Sequence, residues 1–345
     1  MVAVTAGVVA CQAQQEQKSA GTSSSAAGTT TVAPATTPPP PPPPPTWPLT
    51  GVQAQSVPAD RPALAVKIEN SIDARPQTGL NSADIVWEEV VEGGITRYMA
   101  VFHSTLPPEI GPVRSIRPMD ASIAGPLRGV LAFSGGVRTY ITNAANAGVQ
   151  VLSQDSGSAG FYRVKTRRAP HNVYADPAAL LGQADAGHHA APPPVFTFPA
   201  SGQQPTAVAA GAPAGILKIT MSGVSHPTWT WSAPDGRWLR SENATPATQS
   251  DGARLSATNV VVLRVNVVTT SARDPAGNPV PETVFTGQGA ATVATGGKTV
   301  AATWRKGGPG EGVVLTGADG AGMTLAPGNT WVELVPNGSG NVTTG

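Results

Sequence analysis

Two arginines on one short loop give the clearest chemical signal in this sequence. Arg114 and Arg117 stand three residues apart, in a stretch bounded by glycine and proline. A guanidinium presents a planar fork of donors that suits carboxylates and phosphates, so the pair predicts a binding site for one anion. The alternative is an internal clamp, in which one of the two arginines pairs with the carboxylate of Glu89.

Glu89 is the candidate acid. The alternation of side chains along a β-strand places it among apolar residues, opposite Tyr98. A carboxylate in that setting must be paired, hydrogen-bonded or raised in pKa. Glu89 is therefore either a structural group bonded to Tyr98 or to a buried arginine, or a functional acid.

A second candidate group combines one histidine with two arginines. Arg167 and Arg168 precede His171 and Asn172 in the stretch RRAPHNVY. Neighbouring positive charge disfavours a protonated imidazole, so His171 is predicted to be neutral and able to act as a base or an acceptor. Asn172 would orient the ring or the backbone. The alternative is that His171 only caps a turn.

A β-hairpin must position the acid. Two runs rich in β-branched and aromatic residues, within ADIVWEEVVEGGITRYMAVFHS at 83–104, flank Gly93 and Gly94. Two glycines between such runs predict a tight two-residue turn, in which Glu92 pairs with Ile95. The period of two along each strand then assigns every side chain to one of two faces.

The face of the hairpin opposite Glu89 carries three more charged candidates. Arg97 lies diagonally between Glu88 and Glu92 in the predicted register. Cross-strand pairs of this kind are usually solvated and weak. The three residues are therefore either a surface ladder of ion pairs or additional ligand-binding groups beside Arg114 and Arg117.

Several other chemistries find no support in the sequence. The five histidines lack metal-ligand spacing, and no cofactor motif is present, so neither a metal nor a cofactor is predicted. Ser134-Gly135-Gly136 lacks a nucleophile-elbow pattern, and the single cysteine, Cys11, lies in the leader region. A net charge of +1 gives no indication of nucleic-acid binding.

The N-terminus predicts export and a lipid anchor. Val8-Val9-Ala10-Cys11 resembles a lipobox, in which the cysteine is lipidated and becomes the mature N-terminus. No lysine or arginine precedes it, so we expect the true start to lie upstream of Met1. Residues 12–60 are rich in Gln, Ser, Ala, Thr and Pro, which predicts a disordered tether that holds a folded body away from the membrane.

The folded body is predicted to contain two domains. Residues 61–192 alternate strand and helix patterns, which indicates a mixed α/β domain. Residues 193–336 carry many short β-prone runs and no helical period, which predicts a smaller all-β sandwich or barrel. Residues 337–345 are predicted to be a polar tail. Trp229, Trp231 and Trp238 are either core of the β domain or a stacking platform for sugars.

Four stretches of the first domain resemble one bacterial family. ARPQTGL, ADIVWEEVVEGGITRYMAVFHS, IGPVRSIRP and RRAPHNVY are similar to the N-terminal domain of the YerB-like lipoproteins, a family catalogued as a domain of unknown function. GQGAATVATGGKTVAATWRKGG and LAPGNTWVELVP resemble its C-terminal domain. The resemblance implies an exported, lipid-anchored protein with two domains and no established reaction.

Three functions remain open from the sequence. The first is a non-enzymatic binding module on the outer face of the cytoplasmic membrane, which uses Arg114, Arg117 and nearby carboxylates to hold an anionic wall component or an envelope protein. The second is a peptidoglycan-processing enzyme, with Glu89 as acid and His171 as base. The third is a structural protein that recruits partners through the edges of its β domain.

Overall fold

The structure is a computed structural model that describes residue 21 and residues 44–55, 60–274 and 277–345. Cys11 and most of the predicted tether lie outside the described residues. In the part of the chain that is described, β-strands predominate and helices are few and short. No helix in that part combines the length and the apolar character needed to cross a membrane.

The N-terminal half of the body, residues 60–192, contains strands and three short α-helices. They are β1 (Leu64–Glu69), β2 (Ile85–Val90), β3 (Thr96–Phe102), α1 (Asp120–Ala124), β4 (Val130–Phe133), α2 (Arg138–Asn146), β5 (Gln150–Ser153), β6 (Phe161–Arg163), β7 (Val173–Ala175) and α3 (Pro177–Leu181). Single 3-10 turns lie at Ile72–Ala74, Leu80–Ser82, Glu92–Gly94 and Gly125–Leu127. Asp176 caps α3, because its Oδ1 accepts hydrogen bonds from two backbone amides of the first turn.

The C-terminal half, residues 193–345, consists almost entirely of strands. They are preceded by one short helix, α4 (Thr206–Ala210), where the sequence predicted none. The strands are β8 (Ala212–Pro213), β9 (Ile216–Thr220), β10 (Pro227–Ser232), β11 (Arg237–Glu242), β12 (Thr245–Pro246), β13 (Ser256–Ala257), β14 (Asn259–Arg273), β15 (Pro279–Val284), β16 (Gly287–Thr295), β17 (Lys298–Lys306), β18 (Val314–Thr316), β19 (Thr330–Pro336) and β20 (Asn341–Thr344).

The two halves contribute to one mixed sheet of twelve strands in the described chain. Its order is β18-β17-β16-β14-β19-β2-β3-β1-β4-β5, with β15 and β8 paired to β14 and β17. Strand β19 of the C-terminal half pairs in parallel with β2 of the N-terminal half, from Thr330 opposite Ile85 to Glu333 opposite Glu88. A continuous backbone ladder therefore crosses the boundary between the halves.

An apolar core covers each face of this sheet. One core joins Trp87 and Met99 to helices α1 and α2 and to Phe196, Phe285 and Trp304. The other joins Tyr98 and Phe102 to a second sheet of six strands, ordered β12-β11-β10-β9-β20 with β13 paired to β11. Trp229 and Trp238 are fully buried in the second core, and the partly buried Trp231 packs against it, so these three residues belong to packing rather than to an exposed platform.

The register of the predicted hairpin is wrong by one residue. The loop holds three residues, Glu92 to Gly94, and Val91 rather than Glu92 faces Ile95 through a backbone bond of 2.8 Å. Gly93 and Gly94 both have positive φ, as predicted for turn glycines. Glu88 therefore lies opposite Tyr98, and Glu89 lies opposite Arg97.

Both ends of the body are more ordered than the sequence predicted. Leu49, within the expected tether, is fully buried in the first core, and Trp47 packs edge-on against His103. The predicted polar tail contains β20, which pairs with β9 in the second sheet. Short amphipathic segments of this kind gain their structure from the surface they cover, which local composition does not reveal.

Candidate functional site

Glu88 belongs to a buried ionic cluster that joins the two halves. The guanidinium of Arg240 donates to three carboxylates, through Nη2 to Glu88 at 2.6 Å, Nε to Glu242 at 2.6 Å and Nη1 to Glu333 at 2.8 Å. Arg240, Glu88 and Glu333 are fully buried. Glu88, Arg240, Glu242 and Glu333 are called the Arg240 cluster below.

Aromatic rings enclose the Arg240 cluster. The guanidinium carbon lies 4.8 Å from the ring centre of Trp331, 5.3 Å from that of Trp229 and 5.5 Å from that of Tyr98. The Tyr98 hydroxyl donates to Glu242, not to Glu89 as one prediction had it, and the Trp229 indole donates to Glu333. Such contacts satisfy a cation that is fully removed from water.

Two carboxylates of the Arg240 cluster have pKa shifts in opposite directions. Burial raises the pKa of Glu88 well above its usual range, Arg240 opposes the shift, and the neighbouring Glu333 and Glu242 add to it. Burial also acts to raise the pKa of Glu242, but Arg240 and then Arg75 outweigh it, and the pKa is lowered. Burial therefore dominates at Glu88, and the paired cations dominate at Glu242.

Glu89 points to the opposite face, into a second buried cluster. It forms an ion pair with Lys67, and the Lys67 ammonium also donates to Asp120 at 2.7 Å. All three side chains are fully buried, and they are called the Lys67 cluster below. Burial lowers the pKa of Lys67 to about 8, although Asp120 opposes the shift. The structure therefore places Glu89 away from solvent, with a lysine rather than an arginine as its partner.

The two loop arginines act as clamps, but on carboxylates that the sequence did not single out as their partners. Arg117 forms a two-point ion pair with Glu92, with Nη2 donating to Oε2 at 2.8 Å. Nε of Arg114 lies 3.4 Å from Oε1 of Glu69. Arg117 is also fixed by its backbone amide, which donates to Asp120 of the Lys67 cluster at 2.6 Å. The geometry therefore favours internal ion pairs of Arg114 and Arg117 over the predicted binding of one external anion by both.

The predicted surface ladder around Arg97 is buried instead. Arg97 is 5% exposed and Glu92 is 7% exposed, and their nearest charged atoms are 3.9 Å apart. Nη1 of Arg97 donates to the carbonyl of Ser115 at 2.9 Å, which fixes the loop that carries Arg114 and Arg117. Burial lowers the pKa of Arg97 to about 9, and the nearby Arg117 adds to this effect. Other segments of the fold cover the face of the hairpin that carries Arg97, and they exclude water from it.

His171 is held by Glu69, a residue that the sequence did not single out. Its Nδ1 lies 2.9 Å from Oε2 of Glu69, and its Nε2 lies 4.0 Å from the exposed carboxylate of Asp73. Glu69 is 2% exposed, whereas His171 is 22% exposed. Because Glu69 accepts at Nδ1, the other ring nitrogen is directed outward. Glu69 lies two residues after Lys67 on β1, so the alternation of side chains along a strand places both on the same face. That alternation is the sequence signal that could have identified Glu69.

A polar cleft of about 810 Å³ opens beside His171. Its lining comes from the segments 73–78 and 164–174 and from Glu109 in the N-terminal half, and from Ser250 in the C-terminal half. The lining residues are Asp73, Arg75, Pro76, Thr78, Glu109, Val164, Thr166, Arg167, Arg168, Ala169, His171, Tyr174 and Ser250. The hydroxyl of Thr78 donates to that of Ser250 at 2.9 Å, and the amide of Ser250 donates to the carbonyl of Gln77. The cleft therefore lies where both halves meet, and its volume suits a small ligand.

The two arginines predicted beside His171 have different environments. Arg167 donates from both terminal nitrogens to backbone carbonyls, those of Asp73 and Pro76, and so fixes one wall of the cleft. Arg168 is exposed, and its side chain makes no hydrogen bond or ion pair within the described chain. Asn172 is buried and accepts from Arg163 at 2.7 Å, so it supports the loop and does not orient the imidazole.

The candidate residues are thus distributed over four places. Arg167, Arg168 and His171 line the polar cleft, Glu89 lies in the Lys67 cluster, and Glu88 lies in the Arg240 cluster. The fourth place is the loop that carries Arg114 and Arg117, where Arg117 and Arg97 pair with Glu92 and Arg114 pairs with Glu69. Within residues 44–55, 60–274 and 277–345, no group of three or more His, Cys, Asp or Glu side chains has the arrangement of a metal site.

Two family models match this chain. The one described as "Protein of unknown function (DUF3048) N-terminal domain" matches residues 49–190. The one described as "Protein of unknown function (DUF3048) C-terminal domain" matches residues 217–332. Together the two matches cover most of the chain, and they follow the same order as the two halves of the body.

One relative and one solved structure are also similar to this chain, and both are YerB of Bacillus subtilis. A protein of Bacillus subtilis (strain 168) named "Putative lipoprotein YerB" is 35% identical over 130 residues, which are 37% of this chain and 39% of that protein. The match therefore spans about two fifths of the relative's length. The crystal structure of YerB from Bacillus subtilis aligns with a TM-score of 0.71 over 86% of this chain and 99% of that chain. At 21% identity, that likeness shows a shared fold.

Proposed function

The chain belongs to the DUF3048 family of proteins of unknown function, and on that premise we propose that it is a lipid-anchored envelope protein that binds an anionic wall component in its polar cleft. The body would stand on the outer face of the cytoplasmic membrane, attached through Cys11. The lipobox-like sequence and the name of the Bacillus subtilis relative support this anchor. Membrane contact through the lipid and wall contact through the cleft are then separate tasks.

The proposed layout keeps the two segments that the sequence indicated. Residues 61–192 would be an α/β unit and residues 193–336 a β unit, preceded by a tether that ends before residue 44. The family matches at 49–190 and 217–332 support two units, and the shared sheet supports their permanent association. Because β2 and β19 pair directly, we expect the units to move as one.

One observation carries the proposed function. Arg168 is an exposed guanidinium at the polar cleft, with no partner inside the described chain, whereas Arg114, Arg117 and Arg97 all have partners in the fold. An unpaired guanidinium at a cleft is a suitable donor for a carboxylate or phosphate. We therefore assign to Arg168 and the polar cleft the binding role that the sequence predicted for Arg114 and Arg117.

The test is sedimentation of the full-length protein with purified cell walls. We expect the wild-type protein to sediment with the walls and Arg168→Glu to lose most of this binding, because the substitution reverses the charge at the cleft. Arg305→Glu is the matched control, since Arg305 is exposed on β17 and does not line the cleft. Equal sedimentation of all three proteins would exclude the cleft as the wall-binding site.

A second candidate function has one specific observation in its favour. The buried carboxylate of Glu69 holds His171 with its other ring nitrogen directed toward the cleft, which is an arrangement that can orient a general base. Glu89 is enclosed, so the acid predicted from the sequence is left out, and His171 would act as the base with Glu69 as the residue that positions it. Analysis of the supernatant in the same experiment separates the two functions. Soluble wall fragments that His171→Gln abolishes would establish an enzyme, and walls bound without fragments favour a binding module.

A further inference from the structure

The charges that line the polar cleft are mixed in sign, and this limits what can bind there. We infer that the cleft takes a peptide that carries both a carboxylate and an ammonium group, such as the stem peptide of a cell wall, rather than a phosphate polymer. The inference rests on the proposed function and specifies its ligand. It uses charged groups of both signs at the cleft that have no lysine, arginine or carboxylate counter-charge among the described residues.

The positive groups of the cleft are Arg167 and Arg168. Arg168 has no partner in the described chain, and Arg167 bonds only to backbone carbonyls, so no carboxylate neutralises either charge there. Arg75 differs, because its guanidinium forms an ion pair with Glu242 at 3.0 Å. Two guanidinium charges thus remain for a ligand carboxylate.

The negative groups are Asp73 and Glu109. The side chain of Asp73 is 74% exposed, and the nearest ring nitrogen of His171 is 4.0 Å away. Glu109 accepts a hydrogen bond from the hydroxyl of Tyr162 at 2.7 Å and forms no ion pair within residues 60–274 and 277–345. Neither carboxylate has a lysine or arginine partner there, so both are available to a ligand cation.

A ligand of one sign would meet repulsion in this cleft. A chain of phosphates would approach Arg167 and Arg168 but would also lie against Asp73 and Glu109, and like charges in contact oppose binding. A zwitterionic peptide pairs with both sets. The hydroxyls of Thr78, Thr166 and Ser250 provide hydrogen-bonding groups for its backbone, and about 810 Å³ accommodates a short peptide.

Three probes test the inference with the full-length protein in titration calorimetry. The first is the peptide L-Ala-D-Glu-L-Lys-D-Ala-D-Ala, and the second is the same peptide with both amines acetylated. The third is poly(glycerol phosphate). We expect the wild-type protein to bind the first peptide about threefold to fivefold more tightly than the acetylated peptide, because acetylation removes the cations that face exposed carboxylates.

Two variants assign the effect to the cleft. Asp73→Asn should lower the ratio of the two peptide affinities, and the double variant Asp73→Asn/Glu109→Gln should bring it to about one, without weakening the acetylated peptide. Arg168→Gln should weaken both peptides while it preserves the ratio between them. The matched controls are Asp155→Asn and Arg305→Gln, because both residues are exposed and neither lines the cleft. Thermal unfolding of every variant verifies that the fold is intact.

Each result separates this inference from the proposed function. An affinity ratio that depends on Asp73 supports the inference. Tighter binding of poly(glycerol phosphate) than of the peptide, or equal binding of both peptides, overturns the zwitterionic ligand and leaves wall binding through Arg168 in place. If no probe binds and the protein also fails to sediment with walls, both the inference and the proposed function are wrong.

Discussion

The Arg240 cluster and the polar cleft both contain arginines and carboxylates. In the first these charges are paired inside the protein, and in the second some of them are exposed to solvent and unpaired. In the Arg240 cluster one fully buried guanidinium contacts three carboxylates and is surrounded by three aromatic rings. In the polar cleft, Arg168 and Asp73 are exposed, and neither pairs with an oppositely charged arginine, lysine or carboxylate in the described chain.

The difference shows how to separate structural charges from functional ones in this fold. A charge removed from water must be matched within the protein, because an unpaired buried ion is strongly destabilising. A charge at an open cleft has no such requirement, since water solvates it until a ligand arrives. Enclosed arginines therefore show which segments are tied together, and a solvated arginine is a candidate for binding only where it lines a cleft.

Removal of the central guanidinium should have the largest effect. Arg240→Met leaves Glu333 buried without a cation and Glu242 with Arg75 alone, so we expect a loss of about 3–5 kcal/mol in the free energy of unfolding. Urea unfolding followed by tryptophan fluorescence measures the loss. Arg305→Met, at an exposed position, should change the free energy by less than about 0.5 kcal/mol. Similar stability of the two variants would show that the Arg240 cluster does not hold the halves together.

The Lys67 cluster should respond with a smaller loss. Lys67→Met removes the ion-pair partner of Glu89, but Asp120 keeps the hydrogen bond from the backbone of Arg117. We expect a loss of about 3 kcal/mol, of which the double variant Lys67→Met/Glu89→Gln recovers a part, because the second change removes the unpaired charge. Urea unfolding of the two single variants and the double variant gives the coupling. Strictly additive losses would mean that the two residues do not interact.

The pH dependence of stability should distinguish two carboxylates of the same cluster. The raised pKa of Glu88 contributes stability that is fully present below its ordinary value of 4.5 and is lost as the pH rises through the pKa of the folded state. The lowered pKa of Glu242 contributes stability that is present above 4.5 and is lost as the pH falls.

Neutral replacements at those positions should reveal the two signs. Glu88→Gln should reduce the fall in unfolding free energy above pH 4.5, and Glu242→Gln should reduce the fall below it. Urea unfolding between about pH 3 and pH 8 provides the measurement. If both variants reduced the fall on the same side of pH 4.5, the opposite pKa shifts of Glu88 and Glu242 would be contradicted.

The smallest stability effect belongs to the cleft. Arg168→Gln should change the free energy of unfolding by less than about 0.5 kcal/mol, because the side chain is exposed and has no partner in the described chain. The same variant should lose binding to walls, so stability and function separate at this position. A loss of stability as large as that of Lys67→Met would show that Arg168 is structural after all.

Local patterns predicted the elements of the fold well where short-range physics decides them. The apolar run Val130–Phe133 forms a strand with those bounds, and the stretch 137–147, where apolar residues recur at helical spacing, forms a helix at Arg138–Asn146. Asp176 followed by Pro177 is the pattern of a helix start, and α3 begins there and ends at Leu181. The hairpin exists, but a two-residue turn was assumed where the loop uses three, which exchanged the partners of Glu88 and Glu89.

The candidate site was less predictable because its partners are distant in sequence. Glu88 meets Arg240, which is 152 residues later, and no local pattern encodes that pairing. One signal was available, because alternation along β11 places Trp238, Arg240 and Glu242 on one face. The polar cleft also takes Ser250 from the C-terminal half, so only the folded chain shows its full lining.

The parallel pairing of β2 with β19 has a consequence for how this protein can be divided. Either half produced alone would present an open strand edge that is normally covered, and such an edge readily associates with another strand. The two halves, made as separate polypeptides, would be expected to find each other and reconstitute the sheet, with Glu88 and Arg240 restoring contact. An exchange of one half between homologues would succeed only where the incoming piece supplies the matching edge and counter-ion.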